Sequence, residues 1–373
     1  MHIQRIQVPD FRALKNVDIT FEKEFTPRIF PLGSQNGGGK STLLQLIFVL
    51  LHCAGNPDRV EFIQNLLDGF QVNHDSGKRT LAVIDIWDGS KTITLEFFVC
   101  NPTYILNVLE DKIENLEKNN SILISSYTEC TQKQRKIIIC KVYGVYENQA
   151  DEFLKVISNK IFLTAHISQI FLFIEPDNRQ TLFKTQANNQ ANYYQKIKTA
   201  NSKLPGFFTY DFLAIDILIE AFKKARDDDF KQAVEKGGNY GNNYVKLLDE
   251  LNNILSNKKI NVEPDLSGIN FKIDGDETEL YPEDLSHGEL KRLCIYMWLK
   301  SNSIDDAIVL MDELEISFHP DWQYQIVRDL EEWGATNQYI LATHSYELCN
   351  AVTPAHVKEL DPKLQSKIIQ SST

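Results

Sequence analysis

The stretch Gly33-Ser34-Gln35-Asn36-Gly37-Gly38-Gly39-Lys40-Ser41-Thr42 limits what this chain can fold into more than any other. It follows a short apolar run and opens a helix. Glycines let backbone N–H groups crowd onto an anion, and a helix start adds partial positive charge. Lys40 neutralises phosphate, and Ser41 reaches a magnesium ion. Asn36, Gly37, Gly38, Gly39, Lys40, Ser41 and Thr42 therefore form a candidate phosphate cradle; the alternative is an ordinary glycine-rich turn. The pattern G-x-x-x-x-G-K-[ST] wants glycine at position 34, where this chain has Ser34 directly after Gly33, but the glycines beside the lysine remain. The next residues, Leu43, Leu44, Leu46, Ile47, Phe48, Val49, Leu50 and Leu51, are too uniformly apolar for a surface helix, which predicts a helix buried beside a sheet.

A chain of 373 residues, 43% of them hydrophobic, can hold one large domain or a domain with a substantial insertion. The net charge of -12 argues against a surface coated for nucleic acid, so any such contact must be local. Cys53, Cys100, Cys130, Cys140, Cys294 and Cys349 lie far apart with no C-x-x-C pair, which indicates reduced thiols rather than zinc or disulfides. No signal-peptide pattern precedes the first strand and no apolar run reaches membrane-spanning length; a cytoplasmic protein is the expectation.

Ile3, Ile6 and Val8, then Val17, Ile19 and Phe21, then Ile29, Phe30 and Leu32 suit strands. A hairpin is expected from Leu81 to Val99 around Asp88-Gly89-Ser90. Ile105, Leu109, Ile113 and Leu116 predict an amphipathic helix too short for a long coiled coil, followed by strands at 121–126 and 136–145. From Asn178 to Lys203 the composition is Asn/Gln-rich and basic, with aromatics and no acid. That stretch either touches a DNA or RNA backbone or is a solvated loop. Helices are expected at about 209–235 and 243–256, punctuated by Gly237-Gly238-Asn239.

A second cluster follows. Leu285-Ser286-His287-Gly288-Glu289 opens a helix whose start offers hydrogen bonds to an anion, although serine caps are commonplace. Ile308-Val309-Leu310-Met311-Asp312-Glu313 reads as a buried strand ending in two carboxylates: an aspartate that can hold magnesium and a glutamate that can deprotonate water. Tyr339-Ile340-Leu341-Ala342 then delivers His344, placed to hydrogen-bond a terminal phosphate.

In this order the motifs resemble the Walker A, signature, Walker B and switch histidine of an ABC-type ATPase head. More closely, the chain is similar to SMC/RecF-like heads, including the ATPases of overcoming-lysogenization-defect (OLD) type and Septu-type bacterial defence systems. In these, Asp-Glu-x-Glu leads to His-Pro; here it reads Asp312-Glu313-Leu314-Glu315-Ile316-Ser317-Phe318-His319-Pro320, with Leu314 where proline is common. The match is good over the first fifty residues and about the last ninety, and general between.

The resemblance implies an α/β fold: a P-loop ATPase head with a mixed sheet and a flanking antiparallel sheet, plus an inserted helical subdomain. The segments would be 1–100 with Walker A, 101–258 as the insertion, and 259–373 with signature, Walker B and switch histidine. It implies that Lys40, Ser41 and Asp312 bind Mg-ATP, that Glu313 activates water and that His344 contacts the γ-phosphate. Gln169 would join the magnesium shell, Arg12 of Asp10-Phe11-Arg12 would lie near the nucleotide, and Ser286 and Gly288 would close over ATP held by a second copy. A homodimer with ATP between its heads follows, without a membrane. The stretch after Ser345 is too short for a TOPRIM nuclease, so an effector such as a nuclease would be a separate protein, in anti-phage defence or DNA maintenance. Two rivals share these motifs: the ATP-binding subunit of a membrane transporter, against which stand the long Lys40–Ser286 interval and Glu289 in place of glutamine, and a non-hydrolysing nucleotide-sensing scaffold.

Overall fold

The computed structural model describes residues 1–72, 77–108, 121–128, 135–146, 149–166, 173–175, 195–196, 198–200, 202–210, 214–255, 257–276 and 278–360. Along these the strands are β1 (His2–Phe11), β2 (Leu14–Thr20), β3 (Ile29–Gly33), β4 (Lys78–Trp87), β5 (Thr92–Cys100), β6 (Ser121–Thr128), β7 (Arg135–Tyr143), β8 (Ile161–Ala165), β9 (Phe207–Thr209), β10 (Lys258–Val262), β11 (Ile269–Ile273), β12 (Glu279–Leu280), β13 (Ile308–Asp312), β14 (Gln338–Ala342) and β15 (Lys358–Glu359). The chain forms two compact units, Met1–Phe208 with Asp305–Glu315 and Ala335–Thr373, and Thr209–Ile304 with Ile316–Gly334.

The first unit is α/β and holds two six-stranded sheets. One, ordered β2-β1-β4-β5-β7-β6, is antiparallel throughout. Its alternation is broken in β1, where Ile3 and Ile6 are both fully buried although three residues apart. A register shift between Ile3 and Arg5 rephases the strand, so one extra residue restores the inward face. The other sheet runs β15-β3-β14-β13-β8-β9, and its pairings from β15 to β8 are parallel. Every residue of β13 and β14 is buried, as expected of a sheet covered on both faces. The helix Lys40–Ala54 supplies part of that cover, packing across β8, β13 and β14 with Leu43, Leu44 and the run Leu46–Leu51 fully buried.

Deep in this helix His52 is held as one neutral tautomer. Arg59 can only donate, so Nε2 accepts from it at 3.1 Å and Nδ1 donates to the Ser158 carbonyl at 2.7 Å. Burial, with Arg59 beside it, pulls the imidazole down to about 3.

The second unit carries the helices Ala214–Glu235, Asn243–Ile254, His287–Ser301 and Pro320–Trp333 and the antiparallel meander β10-β11-β12. Asn243–Ile254 has no side-chain cap of its own; Asp229 of the preceding helix accepts from Asn243 N–H at 2.8 Å and Tyr244 N–H at 2.9 Å. The two units cut across the segments 1–100, 101–258 and 259–373. β6, β7 and β8 lie in the first unit with β13 and β14, while residues from Thr209 onward start the second. The helix expected around Ile105 occupies Pro102–Val108; the further apolar positions Leu109, Ile113 and Leu116 lie outside the described residues.

Within the second unit, Arg292 makes a two-pronged pair with Asp329, Nε to Oδ2 at 2.6 Å and Nη2 to Oδ1 at 2.9 Å, and its Nη1 donates to the Ile254 carbonyl at 3.0 Å. Asp329 is only 5% exposed at its side chain. Removing one partner of such a pair strands a buried charge, so Asp329→Ala is expected to lose about 3–5 kcal/mol of stability in urea unfolding. A loss below about 1 kcal/mol would mean that the pair behaves like an exposed one.

Candidate functional site

β3 runs into the turn Ser34–Gly39, and Gly39 caps the helix at Lys40 with φ +91°. A side chain at Gly39 would also strike Leu14, whose Cδ2 lies 2.8 Å from the position of an added Cβ. At Gly38 an added Cβ would sit 2.3 Å from Ser34 Oγ, so the serine is tolerated because the residue facing it has no side chain. The helix start has no side-chain cap and no acidic residue in its first turn, which leaves its field open to an anion.

Lys40 is 7% exposed. Its Nζ donates to the Ser34 carbonyl at 3.2 Å and to Ser34 Oγ at 3.1 Å, and lies 2.9 Å from His344 Nε2. An ammonium has no acceptor, so Nε2 of His344 accepts here. Burial lowers the Lys40 pKa, opposed by Glu315, Asp312 and Glu313.

β13 ends at Asp312, 1% exposed, whose Oδ1 accepts from Ser41 Oγ at 3.0 Å. Its Oδ2 is buried and accepts no hydrogen bond from the described residues. Burial pushes this carboxyl up to about 7, with Glu313 and Glu315 adding to the shift and Ser41 and Lys40 opposing it. An orphaned carboxylate oxygen next to a serine hydroxyl fits a hard cation. Magnesium is held by one or two protein oxygens plus phosphate and water.

The chain then turns through Glu313, a non-glycine residue at φ +49°, whose N–H donates to the Ala342 carbonyl at 3.0 Å. His344 leaves the end of β14. A cleft of about 460 Å³ is lined by Ala13, Asn36–Thr42, Asp312, Glu313, Ala342 and His344. The fold thus gathers ten of the residues singled out in the sequence. Arg12, at φ +51°, is not among the lining residues; its Nη2 donates to the Leu66 carbonyl at 3.0 Å and its guanidinium lies over Phe11. Gln169 lies outside the described residues. Of the basic stretch, Lys203 pairs with Glu61 at 2.7 Å, and residues 176–194 lie outside the described residues.

Ser286 and Gly288 belong to the second unit. Ser286 caps His287–Ser301 in a reciprocal box: its Oγ accepts from Glu289 N–H at 3.2 Å, and Glu289 Oε2 accepts from Ser286 N–H and Oγ at 2.9 Å. The other Glu289 oxygen pairs with Lys258. Gly288 is required by space, since an added Cβ would lie 2.7 Å from the Ser317 carbonyl.

Two contributors escaped sequence reasoning: Ser34, whose side chain holds Lys40, and Glu315, whose Oε1 accepts from His344 N–H at 2.6 Å. The Asp-Glu-x-Glu spacing was the signal that could have found Glu315.

Asp312 titrates higher when folded than its ordinary 3.8. The folded metal-free protein therefore binds a proton that the unfolded chain releases, and stability is lost as pH rises between those values. Asp312→Asn keeps the acceptor for Ser41 and removes the charge. It is expected to stabilise the metal-free protein at pH 8 by about 2–4 kcal/mol, and to abolish stabilisation by magnesium in thermal melts. A variant less stable than wild type without metal would contradict this account.

Comparison with known proteins gives the AAA ATPase domain as the matching family, over residues 1–349. The chain is similar to the retron Vc95 probable ATPase of Vibrio cholerae serotype O1 biovar El Tor, 22% identical over 97% of this chain and 74% of that protein. It is also similar to the retron Ec83 probable ATPase of Escherichia coli, 28% identical over 27% of this chain and 20% of that protein. Among solved structures, it resembles the SMC head domain from Thermotoga maritima, at TM-score 0.47 and 10% identity, covering 94% of this chain and 92% of that one. The recombination mediator protein RecF gives TM-score 0.37 and 15% identity, covering 93% of each chain. With the family match covering residues 1–349, and so every residue that lines the phosphate cleft, this protein belongs to the AAA ATPase domain family.

Proposed function

We propose that this chain is a cytoplasmic ATP-hydrolysing subunit of the SMC/RecF-like kind, whose ATP-dependent pairing with a second copy gates a separately encoded effector. The observation that carries the proposal is the convergence of Lys40, Ser41, Asp312, Glu313 and His344 on one cleft at the C-terminal ends of β3, β13 and β14.

In this reading the loop amides and Lys40 bind the terminal phosphates, Lys40 exchanging Ser34 and His344 for phosphate oxygens. Ser41 and Asp312 hold the cation. Magnesium, when bound, offsets the negative charge of the phosphates. Glu313 takes the proton of the attacking water as the water oxygen bonds to phosphorus and ADP leaves. His344, released from Lys40, carries its ring proton on Nε2 instead of Nδ1 and donates it in a hydrogen bond to the terminal phosphate. Ser286 and Gly288 serve the nucleotide of the partner copy, so turnover and pairing are linked.

The names of the two relatives support a role as the ATPase of a retron. The resemblance to OLD-type and Septu-type defence ATPases supports an effector such as a nuclease. Against a transporter's ATP-binding subunit stand the long interval between Lys40 and Ser286 and Glu289 in place of glutamine.

The test pairs ATP hydrolysis with solution mass for wild type and Glu313→Gln. Removing a general base is expected to slow turnover about 10²- to 10⁴-fold, and the variant should accumulate as a dimer only when ATP and magnesium are present. A Glu313→Gln protein that stays monomeric at saturating ATP removes the pairing, and a variant as fast as wild type removes Glu313 as the base.

A further inference from the structure

Glu315 lies outside the lining of the phosphate cleft, yet it is bonded to the segment that carries His344. After Asp312 the chain turns through two non-glycine residues with positive φ, Glu313 at +49° and Ser317 at +73°. Leu314, fully buried, anchors that turn in the core. Two hydrogen bonds join it to the end of β14 and the segment that follows: Glu313 N–H to the Ala342 carbonyl at 3.0 Å, and His344 N–H to Glu315 Oε1 at 2.6 Å. The first is a main-chain bond that any residue at 313 makes. The second depends on one side chain, and it grips the backbone of the residue whose imidazole reaches Lys40 at 2.9 Å.

We propose that Glu315 is a positioning residue that fixes the backbone of His344, so that its imidazole meets the terminal phosphate when Glu313 is engaged with the attacking water. This rests on the ATPase reading of the site. The turn bearing Glu313 and the strand exit bearing His344 are then a single clamped piece, and the acid and the phosphate contact move together. Glu315 acts by accepting an N–H, and its charge is secondary. An amide oxygen of the same reach can take the same hydrogen, whereas a methyl group cannot.

The experiment compares Glu315→Ala, Glu315→Gln and each change on a His344→Ala background, in the full chain with Mg-ATP. Misplacement of a phosphate contact by a fraction of its reach is expected to cost Glu315→Ala about 10- to 100-fold in kcat, with KM changed less than about threefold if ground-state binding is intact. Glu315→Gln should recover most of that loss. On the His344→Ala background, Glu315→Ala should cost nothing further, because the two residues act as one unit. A Gln variant as slow as Ala, or an undiminished loss without His344, would overturn the proposal.

A readout independent of turnover is the backbone amide of His344 in histidine-labelled protein, whose 8 histidines keep the spectrum small enough to assign by substitution. A carboxylate-bonded amide proton lies downfield; it should move upfield in Glu315→Ala and stay near its place in Glu315→Gln. An amide unmoved by Glu315→Ala would also overturn the proposal. Wild type without turnover would instead count against the ATPase reading, and the amide alone would then decide whether Glu315 holds His344.

Discussion

The strand order β3-β14-β13 is the constraint on which the rest of the site depends. Parallel neighbours finish at the same edge, so whatever follows each strand is delivered to one place. Lys40 and His344 are 304 positions apart and Ser41 and Asp312 271, yet both pairs are in hydrogen-bond contact. In-register pairing of Asp312 with Ala342, and of Ala342 with Leu32, sets this alignment to the residue. A slip of one position would turn Asp312 to the opposite face of the sheet.

Holding these groups together costs stability, and the cost falls on the groups a nucleotide and a cation would satisfy. Lys40 is buried against a carbonyl, a hydroxyl and an imidazole, none of them a full counter-charge. Asp312 is buried with one oxygen that accepts no hydrogen bond from the described residues and two more carboxylates nearby. Elsewhere the same chain treats buried charge differently: Arg292 and Asp329 form a two-pronged pair, with the Ile254 carbonyl and Gln325 making further bonds to them, and His52 is kept neutral chiefly by burial. Polar groups left half-satisfied at one edge of the sheet, beside a helix start with no cap, are the mark of a site whose remaining partners come from a ligand.

Much of this was legible in the sequence because it was local. Apolar alternation, the buried run after Ser41 and the strand before Asp312 each follow from a few neighbouring residues, and each corresponds to an element. What the sequence hid was tertiary. The rephasing of β1 depends on its pairing with β4, and the spacing of Ile3 and Ile6 alone does not reveal a bulge. The partition into two units could not be read from segments, because the chain returns to the first unit for Asp305–Glu315 and again from Ala335. Ser34 looked like a lost glycine. No positive φ is needed there, and its Oγ fills the space left by Gly38.

If, as proposed, the helix start at Ser286 meets an anion, its one departure from the familiar pattern has a structural accommodation. Glu289 places a carboxylate within the first turn, where it competes with any incoming phosphate for the same N–H groups. Its charge does not stand alone, because Lys258 pairs with one oxygen and Ser286 with the other, and although burial works against it these partners hold the carboxyl below its ordinary range. Ser286 Oγ donates to Glu289 while it accepts from the Glu289 N–H. Its single proton can be turned outward without breaking the acceptor half of the cap. The helix then keeps its start while the hydroxyl donates to a ligand instead of to Glu289. A neutral glutamine would reach a similar arrangement without Lys258; with a glutamate, the lysine of β10 is part of the same device.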